Sequence, residues 1–128
     1  MTSEHATVDK SALLDLNRRM HVEETRGNEG VPFFRELLDQ TLRFRRASGA
    51  IVTREEFLID LANPANRRET IDPVGEIGCE VYENTAVVSV ILRVVGNNGA
   101  TRVNGLFRNL RLIVFKKKQM NHCRQPLL

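Results

Sequence analysis

Residues 46–58 combine a glycine turn with a helix start, and they constrain the fold more than any other stretch of this chain. Gly49 lies in a turn between two short segments with the alternating apolar pattern of strands. Thr53 and Glu56 follow at the spacing of a capping box, in which each side chain bonds a free backbone N–H of the other residue. The pattern predicts a hairpin that leads directly into a helix. The buried side of that helix is predicted to carry Phe57, Leu58 and Leu61.

Two further helices are predicted before this hairpin. Residues 9–25 have apolar side chains at a 3.6-residue period, at Leu13, Leu16 and Met20. Residues 27–30 begin and end with glycine, which favours the end of this helix. Pro32 then occupies a favoured first position of a short second helix. The apolar face of that helix is Phe33, Phe34, Leu37 and Leu38.

The second half of the chain is rich in strand patterns. Residues 77–82 alternate between apolar and polar side chains, and residues 85–95 are mostly β-branched and apolar on both faces. Turns are predicted at residues 83–84 and 96–99, where Asn and Gly concentrate. Two more strands are predicted over residues 101–115 and 120–125. Helices followed by an antiparallel meander predict an α+β domain rather than repeated βαβ units.

Length and composition place the chain among small globular proteins. Its 128 residues suffice for one domain, and 41% hydrophobic with 27% charged residues argues against disordered and fibrous classes. No apolar run reaches the ~20 residues that a membrane-spanning helix needs. The first residues lack the basic start and apolar stretch of a secretion signal. We therefore expect a cytoplasmic protein that does not bind a membrane.

The net charge of +3 and the pI near 9.2 raise the question of a nucleic-acid partner. The basic residues are scattered among 16 acidic ones, and the chain has no Trp and one Tyr to stack on bases. We therefore expect no nucleic-acid partner. Cys79 and Cys123 lack the spacing of a metal site, and His21 with Glu24 supplies only two ligands at helical spacing. We expect neither a metal nor another cofactor.

Taken in order over residues 13–114, these motifs resemble the nuclear-transport-factor-2-like superfamily, especially its SnoaL-like and ketosteroid-isomerase-like small bacterial domains. The matching features are the glycine turn before the capped helix, the strand–turn–strand around Ala86, and the strand over residues 107–114. The resemblance implies a cone-shaped α+β fold, a cystatin-like roll. In this fold about three N-terminal helices cover the concave face of a strongly curved antiparallel sheet. We expect one such domain over residues 1–128, with 1–8 and 122–128 poorly ordered.

The resemblance also implies a pocket between sheet and helices, and a homodimer through the outer sheet face. The candidate ligand-binding residues are Phe34, Phe57, Tyr82, Asn109 and Arg111. Asn109 and Arg111 share one face of a strand, where Arg111 would bind the carboxylate of an acidic ligand in two-pronged fashion. The alternative for Arg111 is a structural ion pair with Glu76 or Glu80. A second subunit would explain why residues 85–95 are apolar on both faces.

The candidate catalytic residues are His122, Tyr82 and Asn109. His122 lies near the end of the last predicted strand, where a histidine can shuttle protons, or where it is merely a surface side chain. Ketosteroid isomerases have an acidic base just before the glycine turn, whereas this chain has Arg46, which cannot act as a base at neutral pH. Two functions stay open. One is a domain that binds a small apolar or acidic metabolite, with or without isomerase, cyclase or hydratase activity. The other is a non-catalytic dimerisation or association module with a self-filled cavity.

Overall fold

The computed structural model describes residues 9–46 and 48–114. Its helices are α1 (Lys10–Thr25), α2 (Val31–Leu37) and α3 (Arg54–Ala62). Its strands are β1 (Arg43–Arg45), β2 (Ile51–Thr53), β3 (Asn66–Tyr82), β4 (Thr85–Asn98) and β5 (Thr101–Val114). β1 and β2 form a hairpin, and β3, β4 and β5 form an open antiparallel meander. The predicted α+β fold is therefore confirmed.

The helix ends follow from local side-chain chemistry. The Asp9 carboxylate accepts a hydrogen bond from the Ser11 amide at 2.9 Å and begins α1. The predicted capping box of α3 is confirmed, because the Thr53 hydroxyl accepts from the Glu56 amide at 3.2 Å. The Glu56 carboxylate in return accepts from the Thr53 amide at 2.8 Å. Gly27 takes the left-handed conformation with φ 61° in the short 3₁₀ turn after α1. None of the helices in the described part of the chain is both long and apolar enough to span a bilayer.

Strand β3 is much longer than predicted, since it begins at Asn66 rather than at residue 77. Its pairing with β4 shifts register between Arg68 and Thr70, and again between Val74 and Gly78. Such bulges break the period-two alternation by which a strand is recognised in a sequence. The hairpin turn between β4 and β5 falls at residues 99–100, later than the predicted 96–99. Phe115, the predicted last strand and the two expected poorly ordered ends lie outside the described residues.

The main core lies between the helices and one face of the meander. Helices α1, α2 and α3 contribute Leu13, Met20, Phe34, Phe57, Leu58 and Leu61, and the sheet contributes Ala86, Val88 and Ile113. Three aromatic rings meet edge to face: the centroids of Phe34 and Phe57 are 5.4 Å apart, and those of Phe44 and Phe57 are 5.6 Å apart. This geometry is the one that aromatic quadrupoles favour. It fixes the wall of the cavity described below.

The opposite face of the meander carries exposed apolar side chains. We call it the outer face and define it by Val74, Tyr82, Ile91, Leu106 and Leu110. Leu110 is 67% exposed. Successive side chains of a strand point to opposite faces. Asn109 and Arg111, the neighbours of Leu110 on β5, therefore point toward the helices. Strand β5 therefore serves both faces of the sheet.

Candidate functional site

A cavity lies between the helices, β1 and β5. Seven of its lining residues are apolar, namely Met20, Phe34, Leu38, Leu42, Phe44, Phe57 and Leu110, whose side chain is itself exposed on the outer face. Its polar lining comes from Glu24, Asn109 and Arg111. The space open to the centre of a water-sized sphere is about 70 Å³. One ordered water needs about 10–15 Å³ on this measure, so the cavity can hold several waters or one small organic molecule.

Four of the five predicted ligand-binding residues line this cavity: Phe34, Phe57, Asn109 and Arg111. Tyr82 does not line it and belongs to the outer face, where its side chain is 57% exposed. Its hydroxyl donates to the Glu80 carboxylate at 2.5 Å, and this bond raises the pKa of Tyr82. His122 lies outside the described residues. Of the three candidate catalytic residues, the structure therefore places Asn109 at the cavity and Tyr82 away from it.

Arg111 is largely buried, with a side chain 11% exposed. Its guanidinium donates to Asn17 Oδ1, and Nη2 lies 3.8 Å from Oε1 of Glu24. The carboxylate paired with Arg111 is thus on α1, rather than being Glu76 or Glu80 of β3. Desolvation lowers the pKa of Arg111, and Glu24 opposes this effect. The group remains a cation at neutral pH because a guanidinium starts from a pKa above ~12.

Arg111 is the inner end of a series of alternating charges. Glu24 Oε2 lies 3.1 Å from Arg68 Nε, and Arg68 Nη2 lies 3.1 Å from Asp60 Oδ2. The same Asp60 oxygen is 2.9 Å from Nη2 of Arg46. We call this series, Arg46–Asp60–Arg68–Glu24–Arg111, the ion chain. It contains three guanidinium groups and two carboxylates, and so carries one net positive charge.

His21 lies behind Arg111 and is 3% exposed. Asn17 uses its oxygen to accept from Arg111, so its Nδ2 donates to His21 Nε2 at 3.3 Å. This arrangement puts the imidazole proton on Nδ1, which has no partner among the described residues. Burial, followed by the charge of Arg111, lowers the pKa of His21 to about 4. His21 is therefore neutral at neutral pH and adds no second cation.

Asn109 presents a buried acceptor to the cavity. Its Oδ1 is shielded from solvent and has no hydrogen-bond partner within residues 9–46 and 48–114. Asn109 precedes Arg111 by two residues on β5, so both side chains point to the same side of the sheet. The cavity therefore combines apolar walls with one unpaired acceptor and one cation. Such a set can bind an anion and a hydrogen-bond donor together.

Sequence reasoning missed most of the polar residues behind the cavity. Asn17 was not singled out, and Glu24 was considered only with His21 as a metal pair; the described chain contains no group of three side chains able to hold a metal ion. A signal was present in the spacing of Leu13, Asn17, Met20 and Glu24. These positions are four, three and four residues apart, which puts them on one face of a helix. Two of the four are polar, so the apolar stripe alone did not show that they face inward.

No family model and no curated protein matches the sequence. Two solved structures are similar to this one. A nuclear-transport-factor-2-like protein from Cytophaga hutchinsonii has a TM-score of 0.82 at 19% identity, over 94% of this chain and 93% of that one. A candidate calcium/calmodulin-dependent kinase II association domain from Exiguobacterium sibiricum has a TM-score of 0.74 at 20% identity, over 98% of this chain and 95% of that one. At such identities the similarity concerns the fold, and this chain has the nuclear-transport-factor-2-like fold.

Proposed function

We propose that this chain is a small-molecule-binding domain and that its ligand occupies the cavity between the helices and β5. The observation that carries the proposal is the unpaired Oδ1 of Asn109 beside the buried guanidinium of Arg111. Buried polar atoms are nearly always hydrogen-bonded, since an unmade bond costs about 1–3 kcal/mol. A bound ligand supplies the missing partner. The apolar walls supply the contact area that small ligands need.

The proposal concerns binding rather than a reaction. Glu24 is the carboxylate that lines the cavity in the described residues, and it is held by Arg68 at 3.1 Å. This contact makes the Glu24 carboxylate the partner of a guanidinium group. Asn109 can bind a ligand but cannot act as a general base, because its amide does not titrate in the physiological range. The geometry thus favours a binding site over isomerase, cyclase or hydratase chemistry.

Ligand-observed NMR with a library of single-ring organic molecules tests this proposal. Leu42, 4% exposed, lines the cavity, and Leu42→Phe should fill part of the space. We expect hits on the unchanged protein to be lost in L42F and retained in Leu106→Phe, a matched change on the outer face. Circular dichroism checks that both variants are folded, and Phe44→Trp replaces L42F if the latter unfolds. Equal binding to both variants would place the ligand elsewhere and refute the proposal.

A second function, association, is supported by the outer face. Its apolar residues Leu106 and Leu110 are 54% and 67% exposed, which is typical of a surface that contacts a partner. The solved structure from Exiguobacterium sibiricum bears the name of an association domain. We propose that this face joins two copies of the chain. Binding and association are compatible, because the cavity and the outer face lie on opposite sides of the sheet.

A further inference from the structure

We propose that the cavity selects a small hydroxycarboxylate, a molecule with one carboxylate, one neutral hydroxyl and a compact apolar body. The inference rests on the proposed function and names the ligand class of the same site. Three features of the described residues carry it. They are the net charge of the ion chain, the unpaired acceptor of Asn109, and the size and lining of the cavity.

The carboxylate follows from the charge of the ion chain. Glu24 serves two guanidinium groups, and it lies closer to Arg68, at 3.1 Å, than to Arg111, at 3.8 Å. Asp60 likewise serves both Arg68 and Arg46. One of the three guanidinium charges therefore has no matching carboxylate within the ion chain.

The unmatched positive charge is that of Arg111, at the cavity end of the ion chain. Arg46, at the other end, is 32% exposed and can be neutralised by ions of the solvent. Arg111 is 11% exposed, so its charge is poorly screened by water. His21 is neutral and the amide of Asn17 is uncharged, which leaves Glu24 as the only described anion in contact with Arg111. An anionic ligand group therefore gains more at Arg111 than at any solvent-exposed arginine.

The hydroxyl follows from Asn109. Its Oδ1 is an acceptor and requires a donor from the ligand. An ammonium group would also donate, but it would bring a second positive charge next to Arg111, with only a neutral amide to hold it. A hydroxyl donates without adding charge. Asn109 and Arg111 are two residues apart on β5, which is about 7 Å along the strand. The ligand's hydroxyl and carboxylate must therefore lie within a few bonds of each other.

The apolar body follows from the walls. Phe34, Phe57 and Phe44 meet edge to face along the cavity. The cavity volume of about 70 Å³ is far below the ~300–1,000 Å³ of sites for drug-sized ligands. One ring, or a branched chain of similar size, is what this space accommodates. Hydroxybenzoates are therefore suitable probes of the ligand class.

Isothermal titration calorimetry with the three isomeric hydroxybenzoates, benzoate and phenol tests the inference. Benzoate lacks the hydroxyl and phenol lacks the carboxylate. We expect at least one isomer to bind about tenfold or more tightly than either simpler compound, since each missing group leaves a buried protein group unpaired. In Asn109→Leu the advantage over benzoate should disappear, and in Arg111→Gln the advantage over phenol should disappear. Arg108→Gln, a change on the other face of the same strand, should leave all affinities unchanged.

The outcomes separate this inference from the proposed function. If single-ring molecules bind in the cavity, but phenol binds as tightly as the best hydroxybenzoate, the ligand class is wrong while the binding site stands. If no library member binds in a way that depends on Leu42, both proposals fail. If R111Q does not fold, N109L with the benzoate comparison still decides whether the hydroxyl is recognised. An unchanged preference in N109L overturns the inference.

Discussion

The buried imidazole of His21 makes the stability of this fold dependent on pH. Burial and Arg111 lower the pKa of His21 from 6.5 to about 4 in the folded chain, and the unfolded chain keeps the ordinary value. Between these two values the unfolded chain binds a proton that the folded chain does not bind. The free energy of unfolding therefore falls as the pH falls through this window. The complete effect is about 3.4 kcal/mol, since one pKa unit corresponds to about 1.36 kcal/mol.

Urea unfolding followed by circular dichroism measures this effect. Between about pH 7 and about pH 4.5, the proton linkage of His21 alone should remove about 2.4 kcal/mol from the free energy of unfolding. In His21→Gln the amide can still accept from Asn17 but does not titrate. The unchanged protein should therefore lose about 2.4 kcal/mol more than H21Q over this interval. The other two histidines are present in both proteins, so the difference isolates His21.

Parallel loss of stability in the two proteins would refute this reasoning. It would mean that His21 takes up its proton in the folded state as readily as in the unfolded chain. NMR provides an independent check. The imidazole resonances of His21 should stay unchanged until the pH is below about 5, whereas an exposed histidine shifts around 6.5.

Three further perturbations test the fold and its surfaces. Thr53→Ala removes the cap of α3 and should cost about 1 kcal/mol in urea unfolding. Gly96→Ala places a Cβ 2.0 Å from a backbone oxygen of β3, so it should prevent folding or lower the free energy of unfolding by more than about 3 kcal/mol. Gly105→Ala is the control: its Cβ lies 3.5 Å from the nearest ring atom, which is an ordinary contact, and the change should be tolerated. Leu110→Lys should convert the homodimer proposed above to a monomer in light scattering, while Ile59→Lys, at an exposed position of α3, should not. A dimer that survives L110K contradicts association through the outer face.

The features that sequence reasoning predicted are those specified by neighbouring residues. The capping box of Thr53 and Glu56 depends on residues three apart, and the structure confirms it. The turn at residues 83–84 is also confirmed, with Glu83 at φ 47°. The order of the predicted helices and strands gave the resemblance to the nuclear-transport-factor-2-like superfamily, and this resemblance implied the correct fold. Phe34, Phe57, Asn109 and Arg111 meet at one cavity because that fold brings their elements together.

The features that escaped prediction depend on contacts distant in sequence. Asn66–Tyr82 is one strand, but Pro73, Gly75 and two register shifts hide its first half from any search for alternation. The inward positions of Asn17 and Glu24 are equally hidden, because a polar residue on a helix is normally in water. Their partners, Arg111 and Arg68, are contributed by β5 and β3. Only the assembled fold shows that α1 buries charge.

The first register shift of β3 has a consequence for comparing this chain with others of its fold. Arg68 pairs with Gly96 and Thr70 pairs with Val95, so Glu69 is an extra residue without a partner position on β4. A chain one residue shorter at this point would keep the same pairing as an unbroken ladder, with its arginine still directed at Glu24 and Asp60. An alignment with a chain that lacks this bulge therefore needs a gap at Glu69. Without that gap, every inward side chain before it is matched to an outward one.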